Sequence, residues 1–65
     1  MLSYTVNEEN RSSEPLTVTE LVSAEVGETT GVAVAVNGEV VPASGWQRPI
    51  AEGDQVDILT AVQGG

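Results

Sequence analysis

The sequence predicts an α+β fold in which a single helix packs on one face of a β-sheet. Segments with the two-residue periodicity of strands lie near both ends and in the middle of the chain, and one segment with helical periodicity lies among them. The length of 65 residues corresponds to one domain. One short helix and a few strands can bury their apolar sides only against each other, which favours a two-layer arrangement.

The first predicted strand covers residues 2–6, where apolar and polar side chains alternate as in a half-buried strand. The polar segment 7–14 that follows has no periodicity, and it forms either a loop or a short, frayed second strand. Pro15 has no backbone N–H and therefore excludes a central strand at that position.

The helix is predicted to begin after Thr17, because Thr17 and Glu20 have the spacing of a capping box. Gly27 is placed to end it in the left-handed conformation. Four apolar side chains between these ends recur with helical spacing: Val18, Leu21, Val22 and Val26. A helix of about two turns is not stable alone, so this apolar face must pack on the sheet.

A β-hairpin is predicted from the apolar runs 31–36 and 39–41, which flank Asn37-Gly38. Asn-Gly between two apolar runs is the strongest short-range hairpin signal, because both positions of a type I′ turn need a positive φ. A turn of two residues places Ala35 and Val40 on the same face of the sheet, opposite to the core.

A Pro- and Gly-containing connection over residues 42–49 includes Trp46, the only tryptophan. We expect Trp46 to cap one end of the small core, and contact with a partner is the alternative. Residues 52–54 form a predicted turn, and residues 56–62 form the final strand.

Composition limits the classes of function. Ten acidic residues against two basic ones give a net charge of −8, which repels nucleic-acid phosphates. A basic protein surface is the expected partner, and solubility alone is the alternative explanation of the charge. The chain has no apolar run of membrane-spanning length and no signal-peptide pattern in its first residues, so we expect neither a membrane nor export, and the cytoplasm is the predicted location.

Histidine, lysine and cysteine are absent. Most nucleophiles and near-neutral general bases are therefore missing, and the remaining hydroxyl and carboxylate side chains have no recognisable catalytic spacing. We interpret the chain as a non-enzyme without catalytic residues or a metal site of its own.

An arrangement of one helix and adjacent N- and C-terminal strands is the β-grasp fold of ubiquitin-like domains, with a mixed four- to five-stranded sheet. Within it, "VAVNGEVVP" (34–42), Trp46 and "EGDQVDILTAVQGG" (52–65) resemble the ThiS family, the sulfur carriers of bacterial thiamine thiazole synthesis. The resemblance runs from about Val18 to the last residue, and the early "YTVN" also fits. The segment 8–15 does not contribute to it.

The resemblance implies that the Gly65 carboxylate is the reactive group. An E1-like adenylyltransferase of the ThiF type would adenylate it with ATP, and a persulfide from a donor such as a cysteine desulfurase would convert it to a thiocarboxylate. A thiazole synthase of the ThiG type would then take the sulfur. The carrier itself would bind no cofactor. We expect a β-grasp domain over residues 1–61 and a flexible tail over 62–65, with Gln63 and Gly64 leading to Gly65 and disordered in the free protein.

Strand parity predicts a second functional feature. If Val56 and Ile58 face the helix, Leu59 faces outward together with Ala35 and Val40. Such an apolar patch beside the tail favours partner binding, with Ala61 and Val62 contributing at the tail root. A single surface leucine without a function is the alternative.

Other functions remain open at this stage. The same terminal chemistry serves sulfur carriers of molybdopterin or cysteine synthesis. A ubiquitin-like protein modifier would instead form amide bonds with lysines of target proteins. A plain β-grasp binding domain would need no glycine at its end. The absence of lysine would prevent self-conjugation by an activated carrier, but a lysine-poor, acidic composition is the preferred explanation.

Overall fold

A computed structural model describes residues 1–27 and 31–60 of the chain. No helix in these two segments is long and apolar enough to cross a membrane. The elements in chain order are β1 (Leu2–Val6), β2 (Glu9–Ser13), α1 (Val18–Val26), β3 (Val32–Val36), β4 (Glu39–Val41), a short 3₁₀ turn (Ala43–Gly45) and β5 (Gln55–Thr60).

The five strands form one sheet in the order β2-β1-β5-β3-β4. The N-terminal strand β1 and the C-terminal strand β5 are parallel neighbours, and the other pairs are antiparallel. Helix α1 covers one face, and the other face has no helix of the described residues on it. This mixed five-stranded sheet with one helix confirms the predicted β-grasp fold.

The helix begins and ends as the sequence predicts. The Thr17 hydroxyl accepts a hydrogen bond from the Glu20 N–H at 3.2 Å, and the Glu20 carboxylate accepts one from the Thr17 N–H at 2.8 Å. Gly27 has a φ of 89° and donates its N–H to the carbonyl of Ser23. These caps satisfy backbone groups that the first and last turns leave without helical partners.

The core lies between α1 and the covered face of the sheet. Trp46 is part of this core: the indole is buried and donates its Nε1–H to the Val41 carbonyl at 2.9 Å, as the core interpretation of this residue requires. Among the described residues, the other buried apolar side chains are Tyr4, Val6, Val18, Leu21, Val22, Val34, Val36, Val41, Ile50, Val56 and Ile58.

The polar segment after β1 is a strand rather than a loop. The chain reverses at Asn7-Glu8, and β2 pairs with β1 from Val6↔Glu9 to Leu2↔Ser13. Asn7 and Glu8 have φ values of 51° and 71°, which match the 54° and 83° of Asn37-Gly38 in the predicted hairpin. The first turn therefore has the same geometry as the second but lacks the glycine that would have indicated it.

Glycine should suit the second position of this first turn better than glutamate. We expect Glu8→Gly to raise the free energy of unfolding by about 0.5–1 kcal/mol. A non-glycine residue in the left-handed conformation costs ~1–2 kcal/mol, and the additional backbone entropy that glycine loses on folding offsets only part of the strain that is relieved. Urea denaturation measures the change. Glu8→Ala is the control, since it removes the charge but keeps the Cβ; an equal gain in both variants would assign the effect to charge.

Candidate functional site

Strand β5 carries the predicted site, because it is the last described element before the terminal glycines. Its side chains alternate as predicted: Val56 and Ile58 are buried in the core, whereas Asp57 and Leu59 are exposed on the uncovered face. The predicted parity is therefore confirmed. The strand ends at Thr60, which lies opposite Val32 of β3.

Three strands bring small and apolar side chains together on the uncovered face. Leu59 of β5 lies opposite Ala33 of β3, and the neighbouring Ala35 lies opposite Val40 of β4. Leu59 is 68% exposed and Val40 is 78% exposed, which makes them the most exposed large apolar side chains of the described strands. Ala33, Ala35, Val40 and Leu59 are called the open-face patch below.

Sequence reasoning identified three members of this patch and missed Ala33. The alternation of Val32-Ala33-Val34-Ala35 already places the two alanines on one face, so the same parity argument would have included it. The structure brings Ala35, Val40 and Leu59 to one face as expected. Their role in binding a partner stays a prediction.

The predicted reactive and tail positions lie outside the described residues. These are the adenylation site Gly65, the tail residues Gln63 and Gly64, and the tail-root positions Ala61 and Val62. The domain boundary at 61/62 and the flexibility of the tail fall in the same segment. What the structure defines is the strand from which this segment continues.

Asparagine side chains from the two hairpin turns hold β5 in place. At its start, Asn37 accepts a hydrogen bond from the Gln55 N–H at 2.9 Å and donates its side-chain amide to buried Asp54 at 3.0 Å. Further along, the Asn7 side-chain oxygen accepts the N–H of Ile58 at 2.8 Å. The shared pattern Val-Asn-X-Glu at 6–9 and 36–39 marks both turns in the sequence and is the signal by which the first turn could be recognised.

The uncovered face changes character between its two sides. Over β1 and β2, beside the turn at 52–53, lies an open groove of about 410 Å³. Polar side chains supply most of its lining: Ser3, Thr5, Asn10, Ser12, Glu52 and Gln55. Apart from Met1, the exposed large apolar side chains of the described residues, Val40 and Leu59, lie in the open-face patch, on the side of β5 towards β3 and β4.

One of the two basic residues, Arg11, is paired with carboxylates on the covered side of the sheet. The Arg11 guanidinium donates hydrogen bonds to the carboxylates of Glu25 in α1 and of Glu9, and the Glu9 oxygen lies 3.0 Å from its nitrogen. These hydrogen bonds raise the pKa of the Arg11 guanidinium above its ordinary value. Arg11 thus joins β2 to the helix on the covered side. Asp57 is exposed on the open face next to Leu59. Among residues 1–27 and 31–60, no three His, Cys, Asp or Glu side chains come together as a metal site would require.

Comparison with known proteins identifies the family. The model of the ThiS family matches residues 2–65, which includes both the sheet and the terminal glycines. No curated protein matches the chain significantly.

Two solved structures from Geobacter metallireducens are similar to the whole domain. One is the crystal structure of a thiamine biosynthesis protein (ThiS), at 35% identity and a TM-score of 0.79, covering 98% of this chain and 100% of that one. The other is the solution structure of a thiamine biosynthesis protein, at 33% identity and a TM-score of 0.79, covering 98% of this chain and 88% of that one. This chain belongs to the ThiS family.

Proposed function

We propose that this chain is a sulfur carrier protein of thiamine biosynthesis and acts as a co-substrate of partner enzymes rather than as an enzyme. The observation that carries this proposal is the family match over residues 2–65, which extends through Gly64-Gly65. The absence of histidine, lysine and cysteine agrees with it, because the chain offers few side chains for catalysis of its own.

The reactive group in this proposal is the carboxylate of Gly65. A carboxylate oxygen attacks the α-phosphate of ATP held by an E1-like adenylyltransferase of the ThiF type, and pyrophosphate leaves. The terminal sulfur of a persulfide, supplied by a donor such as a cysteine desulfurase, then bonds to the acyl carbon while AMP departs. A thiol cleaves the remaining S–S bond and releases the thiocarboxylate, whose sulfur passes to a thiazole synthase of the ThiG type.

Glycine at the last two positions suits this chemistry. A residue without a Cβ permits close approach of other groups to its backbone, so a Gly-Gly end can enter a narrow nucleotide site. The acyl carbon of Gly65 is also unhindered, which matters because the sulfur arrives as AMP leaves. ATP and any metal ion that accompanies it belong to the adenylyltransferase, and the carrier needs no cofactor of its own.

The open-face patch is the proposed docking surface for these partners. It combines Leu59 and Val40, both largely exposed, with the small side chains of Ala33 and Ala35. Leu59 precedes the terminal segment in the chain, so a partner that takes up Gly65 must pass close to it. The net charge of −8 favours a partner whose surface around this contact is basic, because complementary charge accelerates encounter.

Intact mass of the protein purified from its own host tests the proposal. A fraction of the chains should carry sulfur in place of one carboxylate oxygen, and alkylation of the thioacid should shift that fraction alone. Protein from a host that lacks the adenylyltransferase is the control and should show only the carboxylate form. Amide-linked adducts to other proteins without any thiocarboxylate would instead favour a protein modifier.

A further inference from the structure

Strand β5 extends beyond the end of its parallel neighbour. The ladder between β1 and β5 runs from Thr5↔Gln55 to Val6↔Val56, and β1 ends there because the chain turns at Asn7. On its other side, β5 stays paired with β3 as far as Thr60. The outgoing half of β5, which carries Leu59, is therefore flanked by strand β3 but not by strand β1.

Asn7 extends the β1 side of this ladder. Its backbone N–H donates to the Val56 carbonyl at 2.8 Å, and its side-chain oxygen accepts the Ile58 N–H at 2.8 Å. The amide oxygen thus occupies the role that a main-chain carbonyl would have in a longer β1. The left-handed φ of 51° turns the backbone away from β5, and asparagine is among the few residues that tolerate this conformation.

We propose that Asn7 is a positioning residue for sulfur loading, which holds the outgoing end of β5 so that the open-face patch and the terminal segment reach the adenylating partner in a fixed relation. This inference rests on the proposed function. Ile58, the residue that Asn7 holds, is adjacent to Leu59 and lies in the strand that continues toward Gly65. Without the bond, the partner must order this end of β5 on binding, and that ordering weakens association rather than the chemical step.

Asn37 supplies a matched control within the same molecule. It has the same left-handed conformation and accepts a β5 N–H in the same way, but at Gln55, the start of the strand. It also bonds Asp54, so its loss removes two side-chain hydrogen bonds whereas the loss of Asn7 removes one. Asn37→Gly should therefore destabilise the domain at least as much as Asn7→Gly, but away from the outgoing end of β5.

The test compares Asn7→Gly, Asn7→Asp and Asn37→Gly with the wild-type chain in pyrophosphate exchange by the cognate adenylyltransferase. Loss of one neutral hydrogen bond should raise the KM of the adenylyltransferase for the Asn7→Gly carrier about three- to tenfold, and its kcat should stay within about twofold of the value with the wild-type carrier. Amide exchange at Ile58 should accelerate in the same variant. Asn7→Asp keeps the acceptor oxygen and should have the wild-type KM and the wild-type rate of amide exchange at Ile58. Asn37→Gly should keep a wild-type KM despite a lower melting temperature.

Each alternative result has a definite meaning. A wild-type KM for Asn7→Gly would overturn the inference, even if exchange at Ile58 is faster, because the bond would then be structural only. An equal rise in KM for Asn37→Gly would also overturn it, since general loss of stability would explain both. If the wild-type chain itself supports no exchange, the proposed function fails, and the role of Asn7 in loading fails with it.

Discussion

Deletion of Gly65 should abolish adenylation of this chain while its fold remains intact. The terminal carboxylate is the only reactive group that the proposed function uses, and a shortened chain presents the Gly64 carboxylate one residue too early for the nucleotide site. The buried core residues in the described part of the chain lie between Tyr4 and Ile58, so deletion of Gly65 leaves every one of them in place. Pyrophosphate exchange with the cognate adenylyltransferase and a thermal melt measure the two parts of this prediction.

Two further forms separate the chemistry of the carboxylate from the fit of the tail. A bulky replacement such as Gly65→Leu keeps the chain length and the carboxylate but places a side chain at the reacting carbon, and it should also abolish exchange. A chain that ends in a Gly65 amide keeps the shape of the wild type but has no nucleophilic carboxylate, and it should be inactive. Normal exchange by the shortened chain would refute the carrier proposal.

Glutamate at two positions on opposite faces of β5 should have opposite consequences. Val56 is 1% exposed, so Val56→Glu forces an unpaired carboxylate into the core and should unfold the domain. The expected cost of several kcal/mol is comparable to the whole stability of a domain of this size, ~3–10 kcal/mol. Leu59 is 68% exposed, and Leu59→Glu should melt close to the wild-type temperature.

Leu59→Glu should instead weaken binding to the adenylyltransferase or to the thiazole synthase. Burial of a leucine side chain at an interface contributes roughly 1.5–3 kcal/mol, so its loss should reduce affinity about ten- to hundredfold. The added carboxylate would lie unpaired in an apolar contact and should deepen the loss. Titration calorimetry measures the affinity. Unchanged binding by a folded Leu59→Glu variant would exclude the open-face patch as the docking surface.

The features that could be predicted from the sequence depend on neighbours in the chain. Thr17 and Glu20 cap the helix across a single turn, and Asn37-Gly38 sets the second hairpin through its own backbone preferences. The alternation along β5 assigns Val56 to the core and Leu59 to the open face, because successive side chains of a strand point to opposite sides. Local geometry alone carries this information.

Other features depend on contacts between distant segments. Strand β2 has a polar sequence and a turn without glycine, and it forms because β1 offers an edge and Arg11 contacts Glu25 of the helix. The hydrogen bond between Asn7 and Ile58 likewise joins residues that are 51 positions apart, and no periodicity in the sequence predicts it.

The sequence by itself determined where the helix and the second hairpin form, which side chains face the core, and the ThiS-like pattern that ends in Gly64-Gly65. Only the tertiary structure decided that β5 lies between β1 and β3, that Leu59 lies opposite Ala33, and that Asn7 reaches Ile58. Local preferences act over a few residues and can be recognised in any window of the chain. Strand order and side-chain anchors require the closure of long loops, and the free energy for that comes from the assembled core.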